Sequence, residues 1–336
     1  MNDNRRNVKY NEDGIDLREL FTVLWKRKIM LISIALIGAV LAGMFSMFIL
    51  SPVYDTDLKI DLNIPQTYIT KYGEYKLPIS TNVQYIDLIT SNDVIANTIK
   101  DMGYSAKGVK LESLKKRISL SKVSDTTQNI FDITVSADNP KESLKLAQNL
   151  YDNYIEYVDN MTKGRALSYY YDTFSAGLES QELLLKSTKE ILNKNEKVLS
   201  KTPQTINQGE LAKIGGNVVI ENIIDPAYKK LKESIAENKL LINITEDNIR
   251  AYKGYLEELD SQKKAMATYN EIGETSNNGS GLVNIAKTNI SLLSIPVAPI
   301  QKTSPSNSRN AAIGLILGGM LGCGIALIKE YWFKKV

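Results

Sequence analysis

The chain has 336 residues, 43% hydrophobic and 24% charged, with 41 Lys and Arg against 38 Asp and Glu for a formal net charge of +3. It has no histidine and a single cysteine, Cys323, which excludes histidine-based metal sites and catalytic triads and leaves no disulfide framework to stabilise a secreted domain. The basic balance is local: seven basic residues stand against five acidic within 1–28 and three against one within 329–336, and no lysine or arginine stripe interleaved with aromatics marks the middle as a nucleic-acid binder.

Met1 to Asn11 is polar, mixed in charge, and reads as a tail. Asp16 stands where an N-cap belongs, ahead of Leu17, Leu20, Phe21 and Leu24 at helical spacing; this predicts either an amphipathic helix on a membrane surface or a helical extension of the next segment. Ile29 to Leu50 carries no ionisable side chain, and its 22 residues at about 1.5 Å each match a hydrocarbon core of about 30 Å. The run is too long for a cleavable signal peptide, and no small-x-small site follows it. A second apolar run, Ala311 to Ile328, ends at Lys329 and Glu330, with Tyr331, Trp332, Phe333, Lys334 and Lys335 beyond. Lys26, Arg27 and Lys28 before the first span and the lysines after the second predict two crossings with both termini in the cytoplasm.

The segment between the spans opens with a period-two pattern. Leu58, Ile60, Leu62 and Ile64 face one way and Asp57, Lys59, Asp61 and Asn63 the other, as in a half-buried strand. Pro65 and a tyrosine-rich connection, Tyr68 to Tyr75, precede helical spacing at Val83, Ile86 and Ile89 and again at Ile95, Ile99 and Met102, with Ser91 as N-cap and Gly103 closing the helix. Gly103, Gly108 and Lys110 nearly spell a phosphate-binding loop, but Val109 holds the lysine position and no strand leads in. Leu111 to Leu114 adds a helical turn. Lys116 to Val123 and Asn129 to Ala137 then alternate as two strands.

From Lys141 to about Ser200 there is no proline, and Leu144, Ala147, Tyr151, Tyr154, Val158 and Met161, then Leu167, Tyr171, Phe174, Leu178, Leu185 and Leu192, recur at coiled-coil spacing. The two sets are out of register about Gly164-Arg165, so the helix bends there or its partner changes. Pro203, Gly209, Gly215, Gly216 and Pro226 turn the chain. A return helix carries Tyr228, Leu231, Ile235, Ile242, Ile249, Tyr252, Leu256, Leu259 and Met266, with Leu240, Leu241 and Ile244 left over for a second contact. Gly273 to Gly281 is a connector, and Ser291 to Ile300 reads as a strand returning to the membrane-proximal sheet. Pro296, Pro299 and Pro305 then hold the chain extended toward the membrane. In the spans, Ala35, Ala39 and Gly43 and likewise Gly314, Gly318 and Gly322 fall four residues apart, two small-residue faces suited to close helix packing.

The reading is an α+β fold: two transmembrane helices flank an extracytoplasmic α/β base domain that bears a long protruding antiparallel helical hairpin. Its divisions are a cytoplasmic tail at 1–28, a span at 29–50, the base at 51–139, the hairpin at 140–275, a return strand and proline segment at 276–310, a span at 311–328 and a tail at 329–336. No catalytic residue, cofactor-binding residue or metal ligand is assigned.

The amphipathic lead Ile15 to Leu24, the first span with Ser51-Pro52-Val53-Tyr54 behind it, the strand from Ile130 to Pro140, the long helix pair and the proline segment before a second span together resemble the Wzz-type chain-length determinants, the polysaccharide co-polymerases, in their kinase-free form. The resemblance implies a homo-oligomer in a bacterial inner membrane, a partner polymerase or export machinery, contact with the growing glycan, and a non-catalytic role in setting chain length of an O-antigen, capsule or exopolysaccharide. An alternative is a transmembrane adaptor that activates a separate cytoplasmic tyrosine kinase.

Overall fold

The structure, a computed structural model, describes residues 17–121, 127–207, 222–272, 282 and 284–332. Asp16, the 273–281 connector and the glycines of the 208–221 turn lie outside the described residues. The chain forms two compact units, one from residues 1–61, 86–153 and 292–336 and one from residues 62–85 and 154–291.

In the first unit, α1 (Leu17–Lys26) and α2 (Lys28–Phe48) are separate helices. Arg27, at φ −108° and ψ 23°, breaks the backbone between them, so the amphipathic stretch is a helix of its own, with Phe21 and Trp25 exposed. The strand β1 (Tyr54–Leu62) alternates as its sequence dictates, burying Leu58, Ile60 and Leu62 completely. It pairs antiparallel with β5 (Ile130–Ala137), setting Leu58 opposite Ile133 and Ile60 opposite Phe131. β4 (Ile118–Leu120) pairs with the other edge of β5, and β8 (Ile290–Leu292) with the other edge of β1, for a sheet order β4-β5-β1-β8.

Two short helices follow along the chain. α3 (Asn82–Asp87) runs through a short 3-10 turn to α4 (Asn92–Asp101), whose N-cap Ser91 accepts from the Val94 amide; Gly103 follows in the left-handed region at φ 66°. Ile86, Ile89, Val94 and Ile95 are fully buried there. α5 (Leu111–Lys115) adds Leu114 to that core. α6 (Pro140–Leu199) then begins, and the Asn139 side chain accepts from the Glu142 amide at 2.9 Å while donating to the Glu142 carboxylate at 2.8 Å, a reciprocal cap. Tyr104 donates to Glu142 at 2.5 Å; burial first, then this hydrogen bond, hold its phenol above the ordinary 10.0.

The second unit is built on α6 and α7 (Pro226–Ile272). α6 continues unbroken through Gly164, which lies against the Met266 side chain. Its buried positions differ from the spacing read in the sequence before that glycine: Leu146, Ala147, Leu150, Tyr154 and Val158 are fully buried and Leu144, Tyr151 and Met161 only half-buried. Polar side chains explain the shift, because Ser143, Asn153 and Thr162 are buried with hydrogen bonds to their own helix or its neighbours. On α7, Ile235, Ile242, Thr245, Ile249 and Leu259 form the buried seam, while Leu240, Leu241 and Ile244 stay exposed at 62, 37 and 49%.

Three elements depart from the sequence reading. The tyrosine-rich connection is a hairpin, β2 (Thr67–Thr70) with β3 (Gly73–Lys76), in which Gly73 takes φ 121° and Tyr68 faces Tyr75. Tyr68, Tyr75 and Tyr170 are buried in one cluster, and the Tyr170 hydroxyl donates to the Gly73 carbonyl at 2.8 Å. The chain reversal after α6 is tightened by a second hairpin, β6 (Thr205–Asn207) with β7 (Asn222–Ile224). The return strand is confined to β8, since Pro296 and Pro299 have no N–H to donate; a short helix, α8 (Ile285–Asn289), precedes it. The buried Asp159 carboxylate anchors α8 by accepting from the Ala286 amide at 2.7 Å and the Lys287 amide at 3.3 Å.

Candidate functional site

The assigned residues cluster on α2 and on α9 (Asn307–Tyr331), the two helices long and apolar enough to cross a membrane. A core helix of a soluble protein would bury such side chains. Here Ile29, Leu41, Met47 and Phe48 on one helix and Leu317, Met320 and Leu321 on the other are more than half exposed, which suits lipid and not water. The chain is membrane-anchored.

The helices run antiparallel with their backbones in contact. Gly314, Gly318, Gly322 and Ala326 are buried along one ridge of α9. An added Cβ would stand 2.5 Å from the Gly38 carbonyl oxygen at Gly314, 2.8 Å from the Ile34 carbonyl oxygen at Gly318, and 3.2 Å from a Leu31 methyl at Gly322. The facing ridge on α2 is Ile34, Gly38, Ala42 and Ser46, with Gly38 so close that its own Cβ would be 2.6 Å from the Gly314 carbonyl oxygen. Ala35 lies over Gly318, Gly43 is 3.8 Å from the Ala311 side chain by the same measure, and Ala39 is half-buried. Both ridges keep four-residue spacing, and the contacting one on α2 starts one residue ahead of Ala35, Ala39 and Gly43. Gly38 is the residue that sequence reasoning missed; its small size four positions before Ala42 was the available signal.

Polar groups clamp both ends of this pair. At one end Arg27 donates to the Glu330 carboxylate through Nε at 3.2 Å and Nη2 at 2.6 Å, with both side chains mostly covered. At the other, the fully buried Ser46 hydroxyl donates to Asn307 at 3.0 Å and accepts from Asn310 at 2.8 Å, while the Lys302 ammonium donates to the same Asn307 oxygen at 3.1 Å. Ser306 caps α9 by accepting from the Arg309 amide. Just beyond, the Val53 amide donates to the Ser304 carbonyl and the Thr303 amide to the Val53 carbonyl, each at 2.8 Å, an antiparallel bridge between the segments that leave the two helices. Of the proline segment, Pro296 and Pro305 are buried and Pro299 is half-buried. This arrangement has no grouping of His, Cys, Asp or Glu able to hold a metal among the described residues. What it can do is fix the separation and angle of two membrane helices.

Comparison with known proteins places these elements. The sequence profile of the Wzz chain length determinant protein family matches residues 13–102, the stretch from α1 through α2, β1 and the first hairpin to α4. The capsular polysaccharide biosynthesis protein CpsC of Streptococcus agalactiae is 27% identical over 161 residues, 46% of this chain and 66% of that protein. CpsC of Streptococcus pneumoniae is 24% identical over 152 residues, 44% of this chain and 64% of that protein. The chain therefore spans just under two thirds of the length of these relatives. Among solved structures, a full-length bacterial polysaccharide co-polymerase aligns over 96% of this chain and 99% of its own, with 14% identity and a TM-score of 0.45. The Shigella flexneri lipopolysaccharide O-antigen chain-length regulator aligns over 74% of this chain and 100% of its own, with 10% identity and a TM-score of 0.33. The similarity to the Wzz chain length determinant protein family thus lies in residues 13–102.

Proposed function

We propose that this protein is a non-catalytic scaffold that regulates chain length of a bacterial surface polysaccharide. The observation that carries the reading is the family match over 13–102, joined to a membrane-spanning pair whose geometry is fixed from end to end. In this reading both termini are cytoplasmic, consistent with the basic residues flanking the spans. The protein works as a homo-oligomer whose copies meet through the exposed Leu240, Leu241 and Ile244 of α7, and its partner is a membrane-embedded polymerase or export machinery engaged by the span pair. A sequence without histidine supports regulation without bond-making chemistry.

The test is the glycan ladder of a strain lacking the gene, separated on a gel. The scaffold reading expects polymer of altered length distribution, restored by the gene on a plasmid. An unchanged distribution would sink it. Loss of polymer together with loss of tyrosine phosphorylation on a separate kinase is the outcome that an adaptor would give.

A further inference from the structure

The segment that joins β8 to α9 exposes large apolar side chains where a folded base would not place them. Ile295, Val297 and Ile300 are 85, 73 and 96% exposed, while Pro296 between them is buried and pins the backbone. These side chains are displayed by a held backbone. From Ser291 to Asn310 there is no acidic residue, and the charges are those of Lys302 and Arg309. Such a segment, apolar at its tip and cationic beside it, has the composition of a lipid-interface anchor.

Its position gives the occupant. Ile300 lies three residues before Thr303, which pairs with Val53, so at about 3.3–3.6 Å per residue it lies within roughly 11 Å of that bridge. Val53 in turn follows the end of α2 at Phe48, and Asn307 at the start of α9 bonds Ser46 of α2. The apolar tip is thereby tethered within reach of the end of the span pair, where interfacial apolar groups sit about 5–10 Å deep. Lys302, held on Asn307 at the start of α9, brings a positive charge to the same end of the span pair.

We infer that Val297 and Ile300 form a wedge that inserts into the extracytoplasmic leaflet of the membrane, with Lys302 and Arg309 facing the lipid phosphates. The wedge fixes the height of the base over the bilayer independently of the spans. It requires the spans to cross a membrane and does not depend on what the protein regulates.

The test uses the full chain with Cys323→Ser and a nitroxide attached at Ile300→Cys or, separately, Val297→Cys, in vesicles of phosphatidylcholine and phosphatidylglycerol. Because both positions are exposed, the labels leave the fold intact. Collision with oxygen, which concentrates in lipid, is compared with collision with a water-soluble nickel chelate. The wedge expects an oxygen-to-nickel ratio shifted from that of a label at the exposed Glu112→Cys toward that of the lipid-facing Phe48→Cys. A ratio equal to that at Glu112 would put the segment in water and overturn the inference. Protection from both reagents would overturn it too, by showing a protein surface, from another copy or a partner, in place of lipid.

Discussion

Gly318→Ala is the smallest perturbation that probes the span pair. Its new Cβ would lie 2.8 Å from the Ile34 carbonyl oxygen and 3.0 Å from the Ala35 Cα, both backbone atoms, so no rotamer change relieves the clash. Carbon contacts settle near about 3.5–4.0 Å, and the helices must separate by roughly 0.5–1 Å. A radial gap of that size forfeits a quarter to a half of each contact along the ridge, and lipid supplies no hydrophobic force to hold the helices together. Overpacking of this kind costs about 1–3 kcal/mol. The internal control is Gly319→Ala, one residue on, where an added Cβ meets nothing within 4 Å. In mild detergent the Gly318 variant should melt several degrees below the Gly319 variant, and Gly318→Leu, with a far larger side chain, should also shift the glycan ladder of a complemented strain. Equal melting of the Gly318 and Gly319 alanine variants would refute the packing argument.

Purified protein in mild detergent should run as a large complex by light scattering, and Leu240→Asp with Ile244→Asp should reduce its mass while circular dichroism stays unchanged; a wild-type monomer at micromolar concentration would count against the α7 interface. Removing one partner of the Arg27 and Glu330 pair should cost about 1–3 kcal/mol, between an exposed and a buried ion pair, and the exchange Arg27→Glu with Glu330→Arg should recover most of the lost melting temperature. Burial holds the Asp159 carboxyl above its ordinary 3.8, against the lowering effect of the Ala286 and Lys287 amides. A raised folded-state value means that the folded form binds the extra proton, so this contribution to stability is full below 3.8 and is lost as pH rises through the folded value. Asp159→Asn should therefore lose stability relative to wild type on acidification from neutral pH, measured as paired melts; a pH-independent difference would remove Asp159 as the cause.

The spans were legible because 22 consecutive residues without an ionisable group have few other uses, and α6 because its heptads run without proline. The first hairpin was not, since its arms are four residues each and its alternation of Tyr68 and Tyr75 is too short to outweigh the prolines and glycine around it. Gly73 after Lys71-Tyr72 was the local signal for a turn. The apolar run Ser291 to Ile300 reads as a strand by composition, but the strand is confined to Ile290–Leu292, and Pro296 and Pro299 beyond it cannot extend the pairing. At the site, the small residues of α9 identified its contacting ridge. On α2 two adjacent ridges both carry small residues, and only the partner backbone decides that Gly38 approaches more closely than Ala39.

The same contacts explain how a packing change between two helices in lipid reaches the base outside it. β1 leaves α2 and β8 leads toward α9, and these strands are neighbours in one sheet. The Leu293 amide donates to the Lys59 carbonyl at 2.8 Å and the Val53 and Ser304 bridge closes the interval below it, so the chain forms a ladder from the sheet to the ends of the spans. Ser46, Asn307 and Asn310 lock the next rung, and Gly38 against Gly314 the one after. Short irregular segments, 49–52 and 293–303, flank the bridge. Because the Val53 and Ser304 bridge ties the two exits together beside the sheet, a change of helix separation at Gly318 should strain this ladder or shift the exit points of both spans. A scaffold that regulates a membrane-embedded partner would need such coupling between its folded base and its membrane contacts.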